Sequence, residues 1–474
     1  MKRRILWLPL LLAAILASCT PRERTLVLLS TNDMHARIQR FPQLAAAVAA
    51  CRDTAQYVVL VDAGDRWTGN AYVDMAPTPG MPILELMNAL RYDVATLGNH
   101  EFDRGQAYLG RMLDSVAFEV VCANVVSDTC TFPQMAPYTV LERGGVRIGF
   151  VGVVTNYEGP GHPAGNASSF AGLEFPDPQR MAARCGAELR GRVDVLVLVS
   201  HMGDDRDEEY LATGTPYDVV IGGHTHVVRD TLVGGVLLTQ TGKNLANIGV
   251  TTIRLKGRKV VGREFRVVPL DGYDPDPACA ERVAHYYADP ELNRPIGEFA
   301  SAADAWGVAN WMADAVADEA DAEIGIYHVG GVRLDSIPAG GVGTARIFDL
   351  EPFGTQIARI GMTPAQLRRL IVTKYNDTEN RKESHRVDLV ATTPYEIITD
   401  RRDSALDVRF PRLAEGRRYR VAMSDYVYRN YKGLEGTDGR ITDQKVADVL
   451  LEELADDSPV VPDNRPRQRV VRLR

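Results

Sequence analysis

Asp, Asn and His, residue types that commonly bind metals, follow five short apolar segments of this chain. The segments are rich in β-branched residues and apolar at odd and even positions alike, which is typical of strands buried on both faces. Ligands gather beyond the carboxyl ends of strands in open α/β sheets, so the five ends predict a single site. The segments 26–30, 57–61, 94–97, 193–199 and 219–221 lead, in that order, into Asp33 and His35; Asp65; Asn99, His100 and Asp103; His201; and His224 and His226.

Each group alone has an ordinary structural explanation. A lone Asp-x-His or Gly-Asp is more often a cap or a turn, and His201 alone would more often be a core histidine. However, five of the nine histidines lie at these strand ends, which favours a dinuclear catalytic centre. Ligation by Asp, Asn and His suits first-row divalent ions better than Ca²⁺. No cysteine joins the motifs, which argues against a structural thiolate zinc site.

These motifs resemble those of the calcineurin-like metallophosphoesterases, in the order and spacing of the 5′-nucleotidase family. The resemblance implies an α/β protein with an N-terminal four-layer αββα sandwich and a second α/β substrate-binding domain. The motifs are Asp33-x-His35, Gly64-Asp65, Gly98-Asn99-His100-Glu101-x-Asp103, His201-x-Gly203 and Gly223-His224-x-His226.

The same resemblance implies two divalent metal ions, with zinc, manganese and cobalt as the candidates. Asp65 would bridge them, because two cations about 3.5–4 Å apart repel and need a shared anion. Such a pair lowers the pKa of bound water and holds the phosphoryl oxygens for in-line attack. The implied ligands are Asp33, His35, Asp65 and His226 for one ion, and Asp65, Asn99, His201 and His224 for the other.

The resemblance also gives His100 a catalytic role, in which it stabilises the transferring phosphoryl group and protonates the leaving oxygen. Asp103, three residues later, would orient that imidazole and raise its basicity. Asp103 could instead be a helix cap or a first-turn acid. Glu101 receives no role from the sequence.

Breaker-rich residues 271–277 mark the end of the first domain. We therefore predict a signal segment at 1–19, a metallophosphoesterase domain at 24–275, a linker helix and hinge at 276–300, and a C-terminal substrate-binding domain at 301–474. A helix over 278–290 and another over 302–321 are expected from the apolar periodicity.

In the second domain, residues 328–333 resemble the Asn-x-Gly-Gly-Ile/Val-Arg signature of the nucleotidase C-terminal domain. Arg333 would bind phosphate or ribose oxygens with its planar donor fork. Phe353 and Tyr426 match the two rings that the family stacks on the nucleobase. The chain departs from the family at His328, which replaces the asparagine, and at Asp438, a weaker candidate displaced by an insertion.

Composition limits the partners. The chain has 474 residues, which is too many for one ordinary core, and its net charge is −8 without a long basic run. The negative charge and the lack of a basic run argue against a nucleic-acid polymer as the partner. Local cations at the site can still attract a single nucleotide as the substrate. The sequence does not indicate an oligomeric state.

The N-terminus predicts export. Lys2, Arg3 and Arg4 precede an apolar stretch at 5–17, which is typical of a signal peptide. Leu16-Ala17-Ser18-Cys19 resembles the bacterial lipobox, which implies a lipidated Cys19, a periplasmic or cell-surface location, and no other contact with the membrane. The alternative is a soluble secreted protein. Whether Cys122 and Cys130 pair is left open.

The expected function is release of phosphate from nucleoside 5′-monophosphates by attack of a metal-bridged hydroxide. A UDP-sugar diphosphatase or a 2′,3′-cyclic-nucleotide phosphodiesterase on the same site is the nearest alternative. A sulfur-oxidation thiohydrolase and a non-catalytic surface binding protein are the more distant ones.

Overall fold

The structure, a computed structural model, describes residues 23–127, 132–157, 161–377 and 386–473. Cys19, with the predicted lipobox, and Cys130, with the open question of its pairing to Cys122, lie outside these ranges.

The first domain contains fourteen strands and seven α-helices among the described residues. The strands are β1 (Glu23–Thr31), β2 (Val58–Asp62), β3 (Val94–Ala95), β4 (Glu119–Val120), β5 (Val126–Ser127), β6 (Tyr138–Arg143), β7 (Val146–Val154), β8 (Leu173–Glu174), β9 (Val195–His201), β10 (Val219–Ile221), β11 (Val228–Val233), β12 (Val236–Thr241), β13 (Asn247–Lys256) and β14 (Lys259–Pro269). The helices are α1 (Phe41–Thr54), α2 (Ala71–Asp74), α3 (Met81–Leu90), α4 (Gln106–Leu113), α5 (Pro178–Leu189), α6 (Asp204–Ala212) and α7 (Pro277–Tyr286). Short 3-10 helices span Ile38–Arg40, His100–Phe102, Ala167–Phe170 and Leu270–Gly272.

Two six-stranded sheets form the centre of this domain. Their strand orders are β14-β13-β1-β2-β3-β4 and β11-β12-β10-β9-β7-β6. The neighbours β1, β2, β3 and β4 are parallel, as are β7, β9, β10 and β12, whereas the outer pairs are antiparallel. Consecutive parallel strands in each sheet therefore end at a common edge.

The two sheets pack face to face and each carries helices on its outer face. Leu26 and Leu28 of β1 point into the core between the sheets, while Val27 and Leu29 point to the helices on the outer side. In β9, Val197 likewise faces the other sheet, and its neighbours face α5 and α6. Strands buried on both faces are what the apolar segments predict, and the four-layer αββα sandwich is confirmed.

The second domain is a smaller α/β unit with ten strands and five α-helices among the described residues. The strands are β15 (Pro295–Phe299), β16 (Ile324–His328), β17 (Gly340–Gly343), β18 (Gln356–Met362), β19 (Leu389–Ala391), β20 (Tyr395–Thr399), β21 (Ala405–Arg409), β22 (Tyr419–Ser424), β23 (Gly439–Lys445) and β24 (Gln468–Arg472). The helices are α8 (Ala305–Glu319), α9 (Thr344–Leu350), α10 (Pro364–Asn376), α11 (Asp425–Asn430) and α12 (Val446–Asp456), and a 3-10 helix spans Val329–Gly331.

A five-stranded sheet of order β19-β16-β22-β18-β23 organises this domain. Helices α8 and α12 cover one face and α10 covers the other, so the sheet contributes to two apolar cores. Local signals fix the helix ends. Asp304 caps α8 by accepting a hydrogen bond from the Gly307 amide, and Thr363 with Gln366 forms a capping box at α10.

The predicted helix over 278–290 is present as α7, and it packs on the first domain through Val283. The chain enters the second domain at β15, which pairs with β17. Two polar contacts join the domains nearby: the Ala71 amide donates to Oδ1 of Asp349 (2.7 Å), and the Tyr72 hydroxyl donates to Oδ1 of Asn293 (2.6 Å).

Candidate metal centre

The strand ends that carry the predicted ligands meet where the two sheets face each other. Residues after β1, β2 and β3 supply one half of the site, and residues at the ends of β9 and β10 supply the other. In three groups, the potential ligand atoms all lie within 4.8 Å of one another. The groups are Asp33, His35 and His226; His35, Asp65 and His100; and Asp65, His201 and His224.

Distances between the groups describe one continuous cluster. Nε2 of His35 lies 2.9 Å from Nε2 of His226, and Nε2 of His201 lies 3.1 Å from Oδ2 of Asp65. Oδ1 of Asn99 faces Nδ1 of His224 at 3.1 Å. Because Asp65 belongs to two of the groups, it occupies the position from which a carboxylate can bridge two ions.

The backbone at this site is strained. Five of the seven predicted ligands adopt positive φ angles, in a region that residues with a side chain rarely occupy: Asp33 (48°), His35 (45°), Asp65 (54°), His224 (82°) and His226 (61°). Strain of this kind persists only where the surrounding structure enforces it, and it clusters at functional sites. The sharp turns after the strands direct the side chains inward to one point.

Close approach of the loops depends on Gly98. A Cβ atom at this position would lie 2.2 Å from Oδ1 of Asp65 and 2.5 Å from its amide nitrogen, which is well inside contact distance. Only glycine therefore lets the Asn99–His100 loop lie against Asp65.

Neighbouring groups fix the orientation of the ligands. Nδ1 of His201 lies 2.6 Å from the Ala63 carbonyl, and Nδ1 of His35 lies 3.3 Å from the Thr68 carbonyl. A carbonyl can only accept, so Nδ1 of His201 carries a proton and Nε2 is the ring atom that faces the cluster. Nδ1 of His35 lies at the same distance, 3.3 Å, from Nη2 of Arg333. Nε2 of His201 is buried, faces Oδ2 of Asp65 and has no partner with hydrogen-bond geometry among the described residues. A buried ring nitrogen placed in this way fits a metal ligand.

The electrostatics of the cluster call for added positive charge. Burial raises the pKa of Asp33 to about 6. Burial opposes the charged form of His201 as well, yet the Asp65 and Asp33 carboxylates raise its pKa to about 10. Burial and then Arg333 lower the pKa of His226 to about 2. The acids therefore attract positive charge, which a proton on His201 supplies here and which a divalent ion bound by the same imidazole would supply in its place, so the donor set fits divalent metal ions.

His100 and Asp103 form a pair at the edge of the cluster. Nδ1 of His100 lies 2.8 Å from Oδ2 of Asp103, and Nε2 lies 4.0 Å from Oδ2 of Asp65. The His100 amide also donates to Oδ1 of Asp65 (2.9 Å). Although burial disfavours the imidazolium, the Asp103 and Asp65 carboxylates raise the pKa of His100, so it is suited to hold a proton beside the metal centre.

Two predicted substrate residues of the second domain reach this centre. Nη2 of Arg333 lies 3.3 Å from Nδ1 of His35, and no carboxylate of the described chain pairs with its guanidinium. The Phe353 ring stacks on His100 with centroids 5.8 Å apart and planes at 22°, and Cζ of Arg333 lies 5.6 Å from the centroid of the same ring. A cation and an aromatic ring thus border the cluster from the second domain.

The remaining substrate candidates lie elsewhere. His328, at the end of β16, is buried and stacks on Tyr426 with centroids 4.8 Å apart. Phe353 and Tyr426 therefore each stack on a histidine. Asp438 lies apart from the other candidates, in a cleft that it lines with Arg359 and Arg420. Its neighbour Gly439 pairs with Ile360 of β18. Ile360 lies three positions from the end of β18 that is near His328, and three residues of a strand span about 10 Å.

Glu101 is the main structural residue that the sequence did not reveal. Its two oxygens accept hydrogen bonds from the amides of Asp65 (3.0 Å), Arg66 (2.9 Å) and Gly98. It thereby joins the loops after β2 and β3. Arg66, also fully buried, forms an ion pair with Asp62 at 3.2 Å and lies behind the same loops. The only sequence signal was that Glu101 is an acid next to His100, and this does not distinguish a metal ligand from a residue that holds the loops in place.

Asn32 is a second such residue. Its Nδ2 donates to Oδ2 of Asp33 (2.6 Å), and its Oδ1 accepts from the Thr241 amide (2.9 Å). It fixes the Asp33 carboxylate against a strand of the other sheet. Its place directly before Asp33 was the only sequence signal.

Comparison with known families matches both halves of the molecule. Residues 26–228 match the calcineurin-like phosphoesterases, and residues 292–437 match the 5′-nucleotidase C-terminal domain. The chain belongs to the 5′-nucleotidase family. It is a metallophosphoesterase, a hydrolase of phosphoric esters, and its Asp and His clusters correspond to a dinuclear metal site.

Relatives of this chain differ in their activities. It is 24% identical over 418 residues to a 5′-nucleotidase of Vibrio cholerae, covering 71% of this chain and 73% of the relative. It is also 24% identical over 408 residues to endonuclease YhcR of Bacillus subtilis, covering 74% of this chain and 33% of the relative. The chain thus spans about a third of that protein's length.

Two solved structures share the two-domain fold. A 5′-nucleotidase precursor from Thermus thermophilus superposes with a TM-score of 0.81 at 20% identity, covering 94% of this chain and 99% of that one. The sulfate thiohydrolase SoxB of Thermus thermophilus superposes with a TM-score of 0.73 at 18% identity, covering 92% and 83%. At these identities the likeness concerns the fold.

The position of Asp65 predicts that Asp65→Asn removes metal from both groups. An amide lacks the charge needed to hold two cations together, so bound metal should fall below one ion per chain and hydrolysis should fall by more than about 100-fold. Mass spectrometry of the purified protein measures the metal content. The exposed Asp274→Asn is the matched control, and equal metal content in the two variants would contradict the bridging position.

The three amides held by Glu101 predict that Glu101→Gln destabilises the fold. The new NH₂ group cannot accept, so buried donors lose their partners at a cost on the order of 3 kcal/mol in free energy of unfolding. Urea unfolding of the chelator-treated protein measures this. Exposed Glu281→Gln is the control, and a loss no greater than that of the control would show that Glu101 does not support the loops.

Proposed function

We propose that this metallophosphoesterase is a 5′-nucleotidase that releases phosphate from nucleoside 5′-monophosphates. The observation that supports the proposal is the approach of Arg333 and Phe353 to the metal centre from the second domain. A phosphoesterase of small esters needs only the first domain. A cation and an aromatic ring brought to the same point fit a substrate with a phosphate and a planar base.

Arg333 binds the phosphate in this proposal. Only Nη2 of the guanidinium lies near His35, and no carboxylate of the described chain pairs with Arg333, so its other N–H groups are available to an anion. Arg333 is half-buried, and the reduced contact with water strengthens its attraction for a phosphoryl oxygen. A planar fork also matches two phosphoryl oxygens at once.

His100 and Asp103 act on the ester itself. When bound, two divalent ions supply a nucleophile from water at neutral pH and neutralise charge on the phosphoryl group. His100 lies beside Asp65 and holds a proton at Nε2, which it can donate to the leaving 5′ oxygen. Asp103 accepts from Nδ1 and stabilises the imidazolium that carries this proton.

Phe353 contacts the nucleoside. Its ring offers one π-face, and stacking tolerates any base because each base has such a face. Tyr426 lies on His328, the residue at which the chain departs from the resembled motif, so we expect this pair to influence base preference. Hydrolysis of a UDP-sugar and hydrolysis of a cyclic nucleotide are the alternative outcomes of the assay below.

A substrate panel tests the assignment. The metal-loaded protein should convert AMP to adenosine and phosphate faster than it hydrolyses UDP-glucose, 2′,3′-cyclic AMP or glycerol phosphate, with the products of each substrate separated by chromatography. Phe353→Ala should lower kcat/KM for AMP about tenfold or more, because stacking contributes about 1–3 kcal/mol, and should change hydrolysis of ring-free glycerol phosphate much less.

Phe353→Tyr is the matched variant, and it should recover most of the AMP activity because it restores the ring. Faster hydrolysis of another substrate in the panel would replace the proposed one. Equal losses on AMP and glycerol phosphate would remove Phe353 from base recognition.

We further propose that the protein is exported and anchored in the bacterial cell envelope through a lipid on Cys19. The support is the basic and apolar N-terminal sequence ending in Leu16-Ala17-Ser18-Cys19. Among residues 23–473 as described, no helix is both long enough and apolar enough to cross a bilayer.

Lipid attachment is tested by expressing the full chain in bacteria fed an alkyne-labelled fatty acid. The wild-type protein should carry the label and sediment with membranes at high salt, because the lipid and not surface charge holds it there. Cys19→Ala should lose both properties, whereas Cys51→Ala should keep them. An unlabelled wild-type protein would contradict the proposal.

A further inference from the structure

Thr68 contacts both functional parts of the metal centre. Its hydroxyl donates to Oδ2 of Asp103 at 2.6 Å, and that oxygen is the one that lies 2.8 Å from Nδ1 of His100. Its backbone carbonyl lies 3.3 Å from Nδ1 of His35. One residue, three positions after Asp65, thus joins the partner of His100 to a residue of the metal cluster.

The backbone of Thr68 is unfavourable for a threonine. Its φ angle is 64°, and a β-branched residue is a true outlier in this region. Asparagine or glycine would adopt the conformation at a lower cost, but glycine would lose the bond to Asp103. An observed outlier of this kind points to a role for the side chain that is present.

The segment around Thr68 is held at several points. The amides of Gly69 and Asn70 donate to Oδ2 of Asp74 at 2.8 and 2.9 Å, and the Ala71 amide donates to Asp349 of the second domain. On the other side, the Arg66 amide donates to Glu101. Thr68 therefore lies on a rigid segment that can set the position of a neighbour.

Asp103 needs such a neighbour. It follows His100 by three residues at the end of a short 3-10 helix, and its side chain is partly exposed. A single bond to His100 would leave the carboxylate free to rotate. The second donor, Oγ1 of Thr68, fixes Oδ2 and with it the plane of the His100 ring.

We propose that Thr68 is a positioning residue that holds Asp103, and through it His100, in the orientation needed to protonate the leaving oxygen. This inference rests on the proposed phosphoester hydrolysis and on the role of His100 in it, but not on which ester is the natural substrate. It assigns Thr68 no contact with the substrate.

Thr68→Val and Thr68→Ser separate the hydroxyl from the shape of the side chain. Valine keeps the branched form and the carbonyl that faces His35, while serine keeps the hydroxyl. In the metal-saturated full-length enzyme, Thr68→Val should lower kcat about 10–100-fold with little change in KM or metal content, as for other residues behind a metal site. Thr68→Ser should recover most of the lost rate.

The leaving group provides a second readout. An ester with an alkyl leaving group, such as AMP, depends on proton donation more than p-nitrophenyl phosphate does, because p-nitrophenolate leaves readily without a proton. The Thr68→Val loss should therefore be larger on AMP than on p-nitrophenyl phosphate. Equal losses on both esters, or a loss that follows reduced metal content, would overturn the proposal.

A double-mutant cycle tests the route through Asp103. Once Asp103→Ala has removed the contact, adding Thr68→Val should cost nothing further in kcat. Independent, multiplying losses would show that Thr68 acts in another way. Wild-type kcat in Thr68→Val would refute the inference directly.

A proton NMR measurement, which does not depend on enzymatic activity, tests this inference separately from the proposed function. The proton between His100 Nδ1 and Asp103 should give a downfield proton NMR signal that His100→Gln removes and Thr68→Val shifts or broadens. If wild-type protein hydrolysed no ester, the proposed function would fail while this signal still reported on positioning. An unchanged signal in Thr68→Val would show that Thr68 does not hold the pair.

Discussion

Two fully buried carboxylates, Asp33 and Asp65, lie within one cluster of imidazoles, and the rest of the first domain is arranged around that concentration of charge. Buried anions placed side by side are unfavourable without compensating cations. The raised pKa values of Asp33 and His201 express the same imbalance. Divalent ions bound here would therefore contribute to the stability of this region as well as to its chemistry.

The supporting structure is itself polar and buried. Glu101 joins two loops through backbone amides, and Arg66 compensates Asp62 behind them. Burial nevertheless raises the pKa of Asp62 to about 6, so a single guanidinium does not fully compensate the acids. Networks of this kind are costly when incomplete, because each lost partner leaves a buried group unsatisfied. Left-handed backbone at five ligands adds strain that the two packed sheets must enforce.

The sequence predicted the parts of this arrangement that follow from local patterns. Apolar segments such as 193–199 located the strands, and the Asp, Asn and His residues after them located the cluster, because strand ends in parallel sheets share an edge. Glu101 and Thr68 could not be found in this way. Their roles depend on backbone amides and on a left-handed turn, neither of which has a pattern in the sequence. Asp438 lies apart from the other candidates, because a motif displaced by an insertion does not predict which end of a strand it reaches.

The second domain is where resemblance and geometry differ most. Phe353 lies on His100 with centroids 5.8 Å apart, and a base cannot fit between rings at that distance, because insertion requires two stacking intervals. A nucleotide must therefore separate the pair or use the other face of Phe353. Among the described residues, the contacts that oppose separation include the hydrogen bonds of Ala71 with Asp349 and of Tyr72 with Asn293, and a small apolar cluster at Leu292. The segment that follows Asp65 carries Thr68 and is hydrogen-bonded, through the Ala71 amide, to Asp349 of the second domain. A movement of the second domain would therefore act on the loop whose Thr68 contacts Asp103, the partner of His100.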